Sequence, residues 1–145
     1  MKKPVASGTL KPGNGWQEVK FDAPVKARFF CFEALSSQNG NDNAAIAEFY
    51  LLGENGKPLS RQHWQIAYAD SEETRGGNFT ADKIFDLQES TYWSTARGDK
   101  YPHQVVIDLR EEVVVSGFQY LPRAEEGYPG MVKEYKAYNK MSRQV

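Results

Sequence analysis

Between Ala81 and Tyr138 a polar loop, KIFDLQESTYWST, is followed by three apolar segments, HQVVIDL, VVVSGFQYLPR and VKEYKAY, each short and each ended by turn chemistry. Segments of this length, rich in Val, Ile, Phe and Tyr, are strands rather than helices. No sustained helical periodicity occurs anywhere in the chain, so its apolar faces must be buried sheet against sheet. That restricts the fold to an antiparallel sandwich or barrel.

The upstream half supplies further strands. Met1 to Gly15 is an edge strand or irregular lead-in that ends at the turn Pro12-Gly13-Asn14-Gly15. From Trp16 to Phe21 alternation offers Val19 and Phe21 to a core, and Asp22-Ala23-Pro24 ends that strand. Ala27 to Ala34 is apolar on both faces and reads as a central strand covered on two sides. After the loop SSQNGNDN comes a strand from Ala44 to Leu52, and the turn cluster Gly53 to Pro58 is the clearest break in the chain. Trp64 to Ala69 is a short strand, and Thr80 to Phe85 one helical turn with Thr80 as its N-cap. Strands at Gln104 to Leu109, Val113 to Leu121 and Val132 to Tyr138 follow, with Ser116-Gly117 marking a bulge. The count is about eight strands, an all-β jelly-roll sandwich.

Several function classes fall away. With 145 residues there is room for one core, hence one domain over residues 1–145. A net charge of -1 without any Lys/Arg run argues against a nucleic-acid partner. No apolar run is long enough to span a bilayer, and MKKPVASG lacks the apolar region of a signal peptide, so membrane insertion is not expected. The single cysteine, Cys31, among aromatics in ARFFCFEA, reads as a small buried hydrophobe. The pairs Glu72-Glu73 and Glu125-Glu126 read as solvated surface rather than as carboxylates flanking a glycosidic bond, and no hydrolase or phosphate-binding motif is present. Catalysis in this chain is not expected.

From Trp64 to Tyr138 the pieces KIFDLQESTYWST, PHQVVIDL, GFQYLPR and KEYKAY, in that order, resemble the first half of a discoidin (coagulation factor 5/8 type C) domain, and more closely the bacterial family 32 carbohydrate-binding modules of galactose-binding-domain type. The stretch over residues 4–53, VASGTLKPGNGWQEVKFDAPVKARFFCFEALSSQNGNDNAAIAEFYLLG being its bulk, is similar to the second half of the same domain, so the halves stand in swapped order. Two origins fit: a circularly permuted single module, or a cut across the junction of tandem modules. The permuted discoidin-like sandwich is the expectation here, since sandwich termini lie close together and each half is present once.

The resemblance implies two sites. A structural calcium ion is held by Asp86, Thr91 and Glu48 together with backbone carbonyls, in keeping with the hard-oxygen shell this ion takes. A sugar site at one end of the sandwich centres on Arg123 of the YLPR run, with Tyr128 as stacking ring and Asn41 and Asn43 as polar contacts. The plainer alternatives are that Asp86 caps a turn, and that Arg123 pairs with Glu125 or Glu126. Trp64 and Trp93 read as core, His103 as a structural residue at a strand entrance and His63 as polar loop.

The implied function is a non-catalytic carbohydrate-binding module of an extracellular or periplasmic protein, covalently linked to a glycan-degrading catalytic domain such as a β-hexosaminidase or chitobiase-like glycosidase, with a poly- or oligosaccharide or a glycoprotein glycan as partner. The alternatives are a discoidin-like protein-interaction or adhesion domain without sugar binding, and a structural spacer.

Overall fold

The computed structural model describes residues 3–127 and 129–141. Its two longest strands, β2 (Gln17–Ala34) and β7 (His103–Leu121), run antiparallel to each other along most of their length. The Phe29–Ala34 part of β2 lies between β7, at His103–Asp108, and β8 (Glu134–Lys140). Outside these, β1 (Ala6–Thr9) pairs with β8 and β5 (Gln65–Ala69) pairs with β7. The other ends, Gln17–Lys20 of β2 and Gly117–Leu121 of β7, form a second layer with β4 (Glu48–Leu52). A two-stranded patch of β3 (Ala45–Ile46) and β6 (Trp93–Ser94) completes the eight strands of the described residues.

This is the expected antiparallel sandwich, but with longer strands than the punctuation suggested. Asp22-Ala23-Pro24 does not end a strand. Residues 21–24 bulge out between the pairs Lys20↔Gly117 and Val25↔Val115, and a second register shift follows between Ala27 and Phe29. In a bulge, Pro24 needs no ladder donor, so its missing N–H is tolerated. Likewise Gln104–Leu109 and Val113–Leu121 are one strand, turned at Arg110, whose φ of 69° is left-handed. The corner is pinned by Asp108, which accepts the Arg110 N–H at 2.8 Å and the Arg28 Nε–H at 2.8 Å. The single strand expected over Ala44–Leu52 divides instead, β3 pairing with β6 and β4 with β7. The bulge expected at Ser116-Gly117 is found there, with the extra residues on β2.

Aromatic side chains join the layers. Phe32 of the first layer lies 5.3 Å from Phe49 and 5.5 Å from Phe118 of the second, measured between ring centroids. Trp93 is fully buried and Trp64 nearly so, as expected for core tryptophans. One cluster takes Leu10, Phe32 and Phe49 from the upstream segment and Trp64, Trp93 and Phe118 from the downstream one. Each such side chain removed from water contributes about 1.5–3 kcal/mol. On the other face of β2, Phe29 and Cys31 pack with Val106, and burial pushes the Cys31 thiol up to about 11, which makes it inert.

A single 3₁₀ turn, Ala81–Phe85, carries the loop toward β6. Thr80 precedes it as predicted but makes no capping bond, its hydroxyl donating instead to Asp82. The Ala81 N–H is satisfied by Glu72 Oε2 at 2.7 Å, so a carboxylate read as solvated surface does the capping.

Candidate functional site

Two places combine polar chemistry with special geometry. At one end of the sandwich, Arg123 follows β7 and lies over the ring of Tyr92, its Cζ 4.4 Å from the centroid. Tyr92 in turn stacks on Phe79 at 4.9 Å with planes 14° apart. Tyr92 stands just before β6, half-buried, while its neighbour Trp93 is fully buried in the core. The Arg123 Nη2 is ion-paired with the Glu125 carboxylate, while Nε is buried with no partner. The guanidinium is therefore positioned by an aromatic face and an exposed carboxylate, with one donor unspent.

The loop at residues 35–43 adjoins this end through Asn39, whose side-chain amide donates to Gly127 O at 3.2 Å. Asn41, a predicted sugar contact, is exposed on that loop. Asn43 plays a different part: its Nδ2 lies 2.9 Å from both Ser94 Oγ and Thr95 Oγ1, and its carbonyl accepts the Tyr101 hydroxyl at 2.6 Å. Its amide donors are spent inside the protein, which makes Asn43 a brace for the loop rather than a contact free to meet a ligand. Tyr128 lies outside the described residues.

His103 secures the same loop from below. Fully buried, it meets Asp70 Oδ2 at Nδ1 (2.9 Å) and the Asp42 carbonyl at Nε2 (2.7 Å). Both partners are acceptors, so the ring satisfies both only with a hydrogen on each nitrogen. Burial pulls its pKa down, but Asp70 and the Asp42 carbonyl together outweigh burial and leave it above the ordinary imidazole value. The structural role expected for this histidine is what the geometry shows.

The second place is the carboxylate cluster. Asp86 Oδ2 accepts from the Thr91 hydroxyl and Oδ1 from the Gln88 N–H at 3.0 Å. Between them Leu87 takes a φ of 66°, a conformation that ordinarily calls for glycine. Glu48, buried on β4, accepts Arg61 Nη1 at 2.8 Å through Oε1, whereas Oε2 has no partner. Burial above all, and the neighbouring Asp86 carboxylate, push Glu48 up to about 7 against the opposing pull of Arg61. The structure thus brings Asp86, Thr91 and Glu48 together.

Two carboxylates side by side, one with an orphaned buried oxygen, form a donor set that fits a cation. Arg61 neutralises one of the two charges, and its Nη1 also donates to the carbonyls of Ile84 (3.0 Å) and Phe49 (3.2 Å). Because Asp86 and Glu48 are the two carboxylates present, a calcium shell here would need Thr91 and backbone carbonyls to complete it.

Tyr92, Phe79 and Arg61 were missed by sequence reasoning. Tyr92 lies outside β6, whose residues Trp93 and Ser94 are both buried, so no local period marked it; Arg61 was not legible either, because only its partner Glu48, thirteen residues earlier and on another element, makes its burial tolerable.

Comparison with known proteins identifies the family. Residues 67–144 match the family model described as F5/8 type C domain. The sialidase of Micromonospora viridifaciens is 33% identical over 88 residues, which cover 58% of this chain and 13% of that protein. The chain therefore spans only a small part of that relative. With more than half of its residues matched by the family model and with an antiparallel sandwich that positions Arg123 among its end loops, the chain belongs to the F5/8 type C, or discoidin, domain family.

Proposed function

We propose that this chain is a non-catalytic carbohydrate-binding module of a glycan-degrading enzyme, acting outside the cytoplasm by holding a linked catalytic domain close to its polysaccharide or glycoprotein substrate. The observation that carries this reading is the Arg123–Tyr92–Phe79 stack at the loop end of the sandwich. A pyranose offers an apolar C–H face to an aromatic ring and hydroxyl oxygens to a planar donor; Tyr92 is covered by Arg123 and Phe79, so the half-buried Phe79 ring supplies the apolar surface and the guanidinium that Tyr92 positions supplies the donors. Asn41 stands on the adjoining loop as the polar partner. The name of the similar protein, sialidase, supports a glycan-acting enzyme as the linked partner. No helix among the described residues is long and apolar enough to cross a membrane.

A glycan array followed by titration of the hits tests this. Arg123→Ala and Tyr92→Ala each weaken binding by roughly tenfold to a hundredfold, the equivalent of losing one charge-assisted hydrogen bond or stacking contact of about 1.5–3 kcal/mol, with circular dichroism unchanged. If no glycan binds, or if both variants bind as the parent does, the site is elsewhere or the function is adhesion to protein.

The same reading includes a structural calcium ion held by Asp86, Thr91 and Glu48, and a single permuted module in which residues 4–53 complete the sandwich begun by residues 64–138. The ion, when bound, would offset the one carboxylate charge that Arg61 leaves unmatched. A monomer in sedimentation is expected to melt in one cooperative step, its midpoint raised several degrees by calcium at about a hundred times its dissociation constant, equivalent to about 2.7 kcal/mol, and lowered again by chelator. A melt indifferent to calcium and chelator excludes the ion; a stable exchanged dimer excludes the single module.

A further inference from the structure

Beside β4, with a lining that includes neither Arg123 nor Tyr92, lies a cleft of about 800 Å³, a volume that suits a small ligand. Tyr50, Trp64 and Phe85 line it, and Leu87 stands in its lining 74% exposed. Trp16, itself 42% exposed, approaches the Tyr50 ring at 5.6 Å. Aromatic walls with an exposed apolar rim are unusual on a small sandwich unless something covers them.

Arg61 also lines this cleft, and its hydrogen bonding is incomplete in a specific way. Nη1 makes three bonds, to Glu48, Phe49 and Ile84, while Nε and Nη2 are buried and have no partner. The Arg61 Cζ lies 3.7 Å from the Tyr50 ring centroid, so one face of the guanidinium is covered by an aromatic ring. Two donors on a side chain that is 2% exposed are costly to leave unmade. Neither atom is exposed as it stands, so a ligand oxygen in the cleft would become the acceptor they lack once the Arg61 side chain shifts toward it.

The charge balance selects the ligand. Arg61 is already matched by Glu48, and Asp86, also in the lining, adds a negative charge, so with no metal ion bound an anion is not favoured. A neutral ring with an apolar face and adjacent hydroxyl oxygens meets both the aromatic walls and the unspent donors. We propose that the cleft between Tyr50, Trp64, Phe85 and Arg61 is a second binding site, for a neutral pyranose, separate from the end loops around Arg123. Two sites on one module would let it grip two points of a polysaccharide, so that their affinities multiply when both engage one chain.

The inference builds on the carbohydrate-binding reading, and one experiment separates the two. The full chain, labelled with ¹⁵N, is titrated with the methyl glycosides of galactose, glucose and N-acetylglucosamine while the Trp64 indole and Tyr92 amide resonances are followed. Saturable movement of Trp64 that persists in Arg123→Ala is expected. Ser60→Trp, which fills the cleft from its exposed lip, and Leu87→Asn, which removes the apolar rim, should each weaken the Trp64 response at least tenfold and leave the Tyr92 response in place. Movement of Tyr92 with Trp64 unmoved overturns the second site alone. If neither resonance moves with any glycoside, both the second site and the proposed function fall. Unaltered Trp64 titration in both cleft variants also overturns the proposal.

Discussion

Replacing Arg61 with alanine destabilises the sandwich by about 3–5 kcal/mol when measured in excess chelator, where no metal ion can stand in for the guanidinium. The side chains of Arg61 and Glu48 are each 2% exposed and meet at 2.8 Å. Removing the cation leaves a carboxylate buried next to Asp86, shielded from solvent and with no other positive group beside it among the described residues. Part of the loss is recovered by protonation, since Glu48 already titrates at about 7 with Arg61 present. The double variant Arg61→Met/Glu48→Leu should be more stable than Arg61→Ala, because an apolar pair of similar volume has no charge to desolvate. Urea unfolding of the parent, the single and the double variant makes the comparison. A loss below about 1 kcal/mol in the single variant, the level of a surface ion pair, would show that the pair is solvated and its burial unimportant.

Gly117→Ala is expected to be the most damaging small substitution, at or above the upper end of the about 1–3 kcal/mol that overpacking costs. Gly117 pairs with Lys20 of β2 on one side and Leu52 of β4 on the other. A methyl group there would press into the backbone carbonyl of Val19, well inside contact distance, and would also meet Lys20 Cα at 3.1 Å. Backbone atoms in a paired strand cannot rotate aside as a flexible side chain can, so the β2–β7 ladder would have to part at the point where the second layer begins. Thermal melting of Gly117→Ala beside Ser116→Ala, which loses only a hydroxyl bond to the Gly53 carbonyl, tests this. Equal melting temperatures would mean that the ladder yields at little cost.

These two positions also show what sequence patterns reveal and what they hide. Alternation identified the strands and the faces of Ala27–Ala34, because a period of two is a local property of the backbone. The core tryptophans Trp64 and Trp93 were read from the family resemblance instead, and Tyr92 beside Trp93 was overlooked. Strand ends were harder to read. Pro24 and the run Arg110-Glu111-Glu112 carry turn chemistry, but a bulge uses the same residues as a turn, and only the partner strand decides between the two. Polar residues were hardest. Glu72 looked like half of a solvated pair and caps the 3₁₀ turn; Asn43 looked like a ligand contact and braces Thr95. In each case the deciding partner lies nine or more residues away, beyond what local composition can encode.

The β2–β7 ladder has a further consequence, for how the chain reaches this structure. Its pairs join residues roughly a hundred positions apart at one end, Gln17 with Tyr120, and about seventy at the other, Ala34 with His103. Almost no native contact of the ladder can form by closing a short loop, so most of the chain's conformational entropy must be lost before these strands begin to repay it. Such a topology belongs with the slow folders, at about milliseconds to seconds rather than microseconds. While the ladder is unmade, the apolar runs FFCF and VVVSGF stay open to neighbouring chains. The same pair of strands that holds the finished sandwich together is thus the last part of it to become safe from aggregation.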